Sequence, residues 1–311
     1  CIIEEELGWG CVGFWTSMTV NNLALNAIVL FGNDEQKERI LPRFVNEFHM
    51  ASFCLSEPGT GSDAGSLATT ATRRGDQYIL NGTKQWVTNG GEASLFTVFA
   101  TIDRGLKHKG ITCFVVDRDT PGLIIGKKED KMGQRTSDTR QIILENCAVP
   151  IANRVGDDGE GFRIAMTMLD RSRPTIAAGA VGIARAALEH ARKYAIERQQ
   201  FGKAIAEFQG IQFMLADIAK DLEASRLLTW HAAWRIEQGL KASKYSSMAK
   251  CFATDAAMKA AVDAVQIFGG YGYTKEYPVE KLMRDAKVMQ IYEGTNQVQR
   301  NIIAREVIAG N

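Results

Sequence analysis

Met289-Gln-Ile-Tyr-Glu-Gly-Thr-Asn-Gln-Val-Gln-Arg300 places a single carboxylate, Glu293, on a short break marked by Gly294 and Thr295. One helical pattern reaches the break through Leu282, Met283, Ala286 and Met289; another leaves it through Val298, Ile302 and Val307. A break between packed helices fixes its side chains and can turn one of them toward a cavity. Ile291 and Tyr292 are expected to exclude water from the carboxylate and raise its pKa, as a general base near neutral pH requires. An ordinary loop glutamate, solvated or ion-paired, fits the same letters.

Outward from this break, the pattern stays helical back to residue 161. Ile176, Ala180, Ile183, Ala187 and Ala191 form one stripe, and Ile211, Leu215, Ile218 and Leu222 form another. Met248, Phe252, Ala256, Val262 and Val265 form a third. With the two helices around Glu293 they predict an up-and-down bundle over residues 156–311. Pro150 to Gly161 is a connection rich in Gly and Asp. Before it the period is two. Gln77–Leu80 and Thr83–Thr88 read as strands joined by a tight Asn81-Gly82 hairpin turn. Leu95–Thr101, Ile111–Asp117, Leu123–Lys127 and Gln141–Glu145 follow. Short strands without helices between them predict an antiparallel sheet or barrel over residues 51–155. Residues 1–50 read as helical, with Leu23, Ala27, Leu30 and Phe31 in one segment and Ile40, Leu41 and Phe44 in the next, after Gly32-Asn33-Asp34. The predicted class is therefore α+β and multidomain: a helical N-terminal segment, an antiparallel β-barrel middle domain and a C-terminal helix bundle.

Composition narrows the function classes. With 37 basic and 36 acidic residues, the net charge of +1 argues against a nucleic-acid or anionic-membrane surface. No uninterrupted apolar run reaches membrane-span length, so a soluble protein is expected. Cysteines at 1, 11, 54, 113, 147 and 251 form no Cys-x-x-Cys pair and read as reduced, buried small hydrophobes. Histidines 49, 108, 190 and 231 form no helical ligand pair, so no metal site is expected. The chain opens at Cys1 as though inside a helix already under way, without a cap.

Four stretches carry candidate chemistry. Phe53-Cys-Leu-Ser-Glu-Pro-Gly-Thr-Gly-Ser-Asp63 combines glycines that admit a ligand to the backbone with the hydroxyls of Ser56, Thr60 and Ser62. Its glycine spacing is not the dinucleotide fingerprint, and a plain turn fits it equally. Gln85-Trp-Val-Thr-Asn-Gly-Gly91 offers a flat indole and the Thr88 hydroxyl, although a core tryptophan on a strand is the bland reading. Asp170-Arg-Ser-Arg-Pro174 sets two guanidinium groups before a helix start, suited to a phosphate-bearing ligand or to a solvated cap. Arg198-Gln-Gln-Phe-Gly202 and Gln266-Ile-Phe-Gly-Gly270 each end a helix with glycine, and capping explains those glycines without explaining Arg198 or Gln266.

In this order these stretches resemble the acyl-CoA dehydrogenase family, and most nearly its medium-chain members. The matching segments include 56–63, Trp86 to Gly90, Lys-Met-Gly-Gln-Arg at 131–135, Arg198 to Lys203, 277–287 and Ile291 to Thr295. The resemblance implies a helical, a β-barrel and a four-helix-bundle domain, here at 1–50, 51–155 and 156–311. It implies FAD between the last two and a homotetramer built as a dimer of dimers. Phe53, Cys54, Leu55, Ser56, Trp86, Val87 and Thr88 would meet the flavin, with Thr88 near N5. Ser62 would serve both ligands. Arg198, Gln199, Gln200, Phe208, Gln209 and Gln266, Ile267, Phe268, Gly269 and Gly270 would hold the adenine half from a neighbouring subunit. Thr295, Asn296 and Gln297 would lie beside the cofactor. Asp170, Arg171, Ser172, Arg173, Tyr292, Gly294 and Arg305 would hold acyl-CoA.

Glu293 matches the family's base, which takes an α-proton while the β-hydrogen leaves as hydride. A backbone N–H at Glu-Gly and a ribityl hydroxyl would polarise the thioester carbonyl. Relatives that carry the base at the segment matching 170–173 have a Glu there; this chain has Ser172. The implied reaction is α,β-dehydrogenation in fatty-acid β-oxidation, with electrons passing to electron-transfer flavoprotein in the mitochondrial matrix, or in bacterial cytoplasm. An acyl-CoA oxidase and a shortened, non-catalytic flavoprotein with an assembly role are the alternatives.

Overall fold

The computed structural model describes residues 1–310; Asn311, the end of the predicted bundle, lies outside them. The order is α1 (Ile2–Phe31), α2 (Asp34–Asn46), β1 (Ala51–Cys54), β2 (Thr70–Arg74), β3 (Gln77–Thr88), β4 (Leu95–Thr101), β5 (Ile111–Asp117), β6 (Leu123–Lys128), β7 (Thr139–Pro150) and β8 (Arg154–Val155). Then follow α3 (Gly161–Glu197), β9 (Gln199–Gln200), β10 (Lys203–Ala204), α4 (Gln209–Glu237), α5 (Ser243–Phe268), α6 (Val279–Met289) and α7 (Asn296–Ile308). The chain divides into two compact units. One holds the sheet, spanning Thr16–Asp130 and Thr136–Leu169; the other gathers Cys1–Trp15, Lys131–Arg135 and the helices from Asp170 onward.

The sheet runs β6-β7-β3-β2-β4-β5-β8, with β1 added beside β4. All seven residues of β4 are buried, so its alternating side chains feed two cores. Leu95 and Phe99 pack with Ala27 and Ile28 of α1, while Phe96 and Val98 pack with Tyr78, Leu80 and Ile142. The predicted helix–sheet–helix class holds, with one difference. The sheet is open rather than a closed barrel, and it is mixed, because β1 and β2 both meet β4 in parallel.

The expected Asn81-Gly82 hairpin does not form. Gln77–Thr88 is one strand whose register slips between Leu80 and Gly82. Gly82 adopts φ +152°, and a Cβ there would lie 2.5 Å from the Thr69 hydroxyl. Asn81 is fixed by accepting the Asn146 N–H at 2.7 Å. Glycine thus serves close approach at a bulge, not a turn. The actual reversal is at Gly75-Asp76, between β2 and β3, where Gly75 has φ +62°.

Helix α1 is long and apolar enough to cross a membrane by length and composition, contrary to the expectation above. Part of its apolar face is core: Val12 and Trp15 belong to the helical unit's core, and Leu23, Ala24, Ala27 and Ile28 to the sheet unit's, while Ile2, Ile3, Phe14, Val29 and Leu30 are exposed. Near its start, buried Glu5 pairs with Arg185 of α3 at 3.1 Å and Arg226 of α4 at 2.8 Å. In the helical unit the α3 stripe is buried as predicted. The α5 stripe is not: Phe252 and Val262 face outward at 40% and 41% exposure, while Ala249, Ala253, Ala257, Ala260, Ala261 and Ala264 face the core. Small side chains allow close helix packing, so alanine rather than the largest hydrophobe marks the inner face. Helix α7 departs further, burying Asn296, Gln299 and Glu306 and leaving Val307 57% exposed.

In the sheet unit, a buried ion pair fixes the loop after β1. Lys84 Nζ donates to Glu57 at 2.7 Å and to the Leu55 carbonyl at 3.2 Å, and both charged side chains are almost wholly buried. Burial alone would raise the Glu57 carboxyl; the Lys84 ammonium and the N–H groups of Ala68 and Thr69 outweigh it and hold it below its ordinary value. Removing one partner leaves the other charge buried. Lys84→Met is therefore expected to lower the unfolding free energy by about 3–5 kcal/mol, read by urea titration. A loss under about 1 kcal/mol would show that the pair contributes no more than a surface salt bridge.

Candidate active site

The Glu293 break begins where α6 ends on buried Leu282, Ala286 and Met289. Glu293 has φ +58° and Gly294 φ +86°, two successive left-handed residues. Gly294 accommodates this; a side-chain-bearing residue in that region costs roughly 1–2 kcal/mol. The surroundings hold it. Gln299 Nε2 donates to the carbonyls of Glu293 at 3.2 Å and Gly294 at 2.9 Å, and Lys250 Nζ of α5 donates to the Gly294 carbonyl at 2.8 Å. Thr295 caps α7 by accepting the Val298 N–H at 3.2 Å. Asn296 Nδ2 donates to Asp255 at 2.7 Å and Thr254 at 2.9 Å, while its Oδ1 accepts from Lys250 at 2.8 Å.

The Glu293 carboxyl is crowded by protein although the residue as a whole keeps some accessibility. Burial raises its pKa, and the Ser172 hydroxyl, Arg173 and Lys250 only partly offset this. Ser172 Oγ of α3 donates to Glu293 Oε2. Ile291 does not exclude water as expected, being 51% exposed; the groups beside the acid, Ser172 and Arg173 of α3 and Lys250 of α5, act against the effect of burial. Tyr292 is half-buried against the core, its hydroxyl 3.4 Å from Gln134 Nε2.

The Asp170–Pro174 segment also differs. It lies within the 37-residue α3, not before a helix start, so no helix N-terminus presents it to a phosphate. Arg173 is 3% exposed, ion-paired with Asp170, and its Nε has no hydrogen-bond partner. Asp170 also accepts from Ser243 at 3.2 Å. Arg171 is exposed.

In the sheet unit, β1 leads Phe53 to Ser56 out of the sheet. Phe53 packs on Phe99 with centroids 5.0 Å apart, and Cys54 is wholly buried, its thiol pushed up to about 12 by burial. Cys54 is 0% exposed, backbone included. Trp86 is no core residue: it sits at the register shift between Lys84 and Val87, with φ +61°, and is 62% exposed. The bulge re-aims the indole outward while Val87 stays buried. Thr88 is half-buried, and its carbonyl accepts from Ser52 at 2.7 Å. Ser62 is exposed on the loop beyond.

A separate groove of about 450 Å³ in the helical unit is lined by Arg198, Gln200, Ile267, Phe268, Gly269 and Gly270, joined by Tyr194, Ile205, Tyr271 and Thr274. Phe268 stacks on Tyr194 at 4.1 Å, and the Arg198 guanidinium lies 5.8 Å from the Tyr271 ring centroid. Gly269 caps α5 at φ +61° as predicted, but Phe201-Gly202 is the left-handed turn of the β9–β10 hairpin and not a helix cap. Gln199, Gln209 and Gln266 are exposed, and Phe208 sits before α4 beneath Lys203. Nothing lies within 4 Å of a Cβ built at Gly269 or Gly270, so the groove wall is open backbone.

Some expected site residues do not gather at Glu293. Arg305 is exposed on α7, about 14 Å of helix rise beyond Asn296, beside Glu306. Gln297 faces solvent, and the Asn296 amide is engaged inside the chain. Conversely, Lys250 and Gln299 were missed. Periodicity does not mark either: Lys250 sits in an alanine-rich helix and Gln299 one turn into α7.

The helical unit carries a dehydrated carboxyl at a left-handed break and an aromatic groove, and the sheet unit carries an outward indole; each is suited to contact with a ligand. The chain belongs to the acyl-CoA dehydrogenase family: its N-terminal, middle and C-terminal domain models match residues 1–47, 52–147 and 159–308. An acyl-CoA dehydrogenase of Bacillus subtilis is 52% identical over 289 residues, covering 93% of this chain and 76% of the relative. The mitochondrial short-chain specific acyl-CoA dehydrogenase of Rattus norvegicus is 48% identical, over 99% of this chain and 75% of its own. A solved structure described with the electron transferring flavoprotein of Acidaminococcus fermentans superposes at TM-score 0.96 with 48% identity, covering 98% and 80%. Butyryl-CoA dehydrogenase of Megasphaera elsdenii superposes at TM-score 0.96 with 44% identity, over 98% and 80%. Members of the family are FAD-dependent oxidoreductases, and a further solved relative, PigA, carries FAD and proline.

A pKa raised by burial means that the folded Glu293 carboxylate is destabilised above the unfolded pKa of about 4.3. Glu293→Gln is thus expected to raise Tm at pH 7–8, with the gain shrinking as pH falls toward 4, where the acid is protonated in both states. Calorimetry across that range checks it; an equal or lower Tm at neutral pH would contradict the burial argument.

Proposed function

We propose that this chain carries out FAD-dependent α,β-dehydrogenation of an acyl-CoA thioester, with Glu293 as the base that removes the α-proton. The observation that carries this is the dehydrated Glu293 carboxyl, accepting from Ser172 on a break fixed by Lys250 and Gln299. FAD, when bound, supplies the acceptor for the β-hydrogen. The residues fit such a group: Trp86 offers an outward indole, and the Arg198–Tyr271 groove offers aromatic walls, a cation and open glycine backbone. Phe53, Leu55, Ser56 and Thr88 would line the ring system. Dehydration makes Glu293 a stronger base than a solvated carboxylate, and the left-handed backbone aims it. The Glu293-Gly294 N–H groups are proposed to polarise the thioester carbonyl. Arg173, Tyr292 and Gly294 complete the acyl side.

The short-chain and butyryl-CoA relatives favour a short acyl chain, and the sequence motifs favour a medium one. We take electron-transfer flavoprotein as the acceptor, which the Acidaminococcus neighbour supports. A homotetramer is supported by the outward apolar residues Phe213, Trp230 and Trp234 of α4 and Phe252 and Val262 of α5. Mitochondrial and bacterial relatives support the matrix and the bacterial cytoplasm respectively. The domain division at 1–50, 51–155 and 156–311 is part of the same proposal.

Anaerobic addition of butyryl-CoA or octanoyl-CoA to FAD-loaded protein is expected to bleach the oxidised flavin band, butyryl-CoA the faster. Glu293→Gln should bind both ligands and lose roughly 10²–10⁴-fold in bleaching rate. An unchanged spectrum would remove the dehydrogenase reading, and turnover of Glu293→Gln within a few-fold of the parent would move the base elsewhere. Hydrogen peroxide formed in step with turnover in air would instead mark an oxidase.

A further inference from the structure

Among the described residues, Lys250 is a charged group whose environment the packing of α5 alone does not explain. It is fully buried on an otherwise small-residue face, between Ala249, Ala253 and Thr254. Among the described residues its ammonium meets no carboxylate at ion-pair distance, and Glu293 and Asp255 act on it only through space. Its hydrogen bonds go to the Gly294 carbonyl and the Asn296 side-chain oxygen, both at 2.8 Å. A buried ammonium without an ion-pair partner is costly, and a methionine of similar length would fill the same space. Three kinds of group face it. From the break and α7 come Glu293, Gly294, Asn296 and Gln299; from α3 comes Arg173; on its own helix are Cys251 and Asp255. Arg173 is already paired with Asp170, so Lys250 is the cation near Glu293 without a carboxylate of its own.

Resting on the reading of Glu293 as base, we propose that Lys250 is a positioning residue for it: the ammonium clamps the Gly294 carbonyl, holds the left-handed Glu293-Gly294 backbone, and supports the carboxylate form of Glu293 through space. Gln299 clamps the same carbonyl without charge, so the two donors divide the task. Gln299 fixes geometry; Lys250 fixes geometry and sets the charge. Burial lowers the Lys250 pKa to about 8, so the amine loses its charge within an accessible pH range.

The test uses FAD-loaded protein and the pH dependence of kcat/KM with butyryl-CoA in the parent, Lys250→Met, Lys250→Gln and Glu293→Gln. Loss of the cation raises the pKa of the base. The acid limb should therefore move to higher pH in both lysine variants. Lys250→Met should also lose at least tenfold in kcat with little change in KM. Lys250→Gln keeps a donor for the Gly294 carbonyl, so it should recover part of kcat while keeping the shifted limb; it carries the test if Lys250→Met fails to fold. An acid limb unmoved in the folded lysine variants overturns the inference. If Glu293→Gln is meanwhile inactive, the base reading stands and only the role of Lys250 falls. If Glu293→Gln retains turnover, the base reading itself fails.

Discussion

Two successive residues in the left-handed region, Glu293 and Gly294, set the direction of the acid, and a buried ammonium and a buried amide share the carbonyl that joins them to Thr295. Such a backbone persists only where the surroundings over-determine it. Here they do. Helix α6 delivers the chain on a buried apolar face, Asn296 anchors the far side to Thr254 and Asp255, and Thr295 starts α7 with a side-chain cap. The strain is held by polar contacts from α5 and α7, while Ser172 and Arg173 of α3 and Lys250 of α5 act on the buried carboxyl. Gln299 thus acts on position alone, while Lys250 acts on position and basicity together.

The same division runs through the sheet unit. The Lys84–Glu57 pair anchors the loop after β1, and two residues along the same strand a bulge turns Trp86 outward. One strand therefore carries both the anchor and the exposed ring. A regular strand would have kept consecutive side chains on fixed alternating faces; the register shift is what frees the indole.

Much of this was legible in the sequence where burial and period coincide. Leu95–Thr101 and Ile111–Asp117 were read with the bounds that β4 and β5 show, because continuous apolar runs flanked by turn residues leave little freedom. The α3 stripe was legible for the same reason. The α5 face was not: large hydrophobes mislead where helices approach closely enough to require alanine. Asn81-Gly82 resembled a hairpin because glycine signals both turns and close approach, and only Thr69, thirteen residues before Gly82, distinguishes them. Lys250 and Gln299 were invisible for a different reason. A polar residue in a helix is ordinarily solvent-facing, and its burial depends on long-range contacts that periodicity does not encode.

The central claim is that Glu293 is aimed at the reacting carbon by its backbone. The most direct measurement is a crystal structure of FAD-loaded protein with an unreactive thioether analogue of acyl-CoA. The account predicts a Glu293 carboxyl oxygen within about 3.5 Å of the analogue's α-carbon, with φ at Glu293 still positive. A carboxyl turned to solvent, or a relaxed right-handed backbone at Glu293 with the ligand in place, would contradict it.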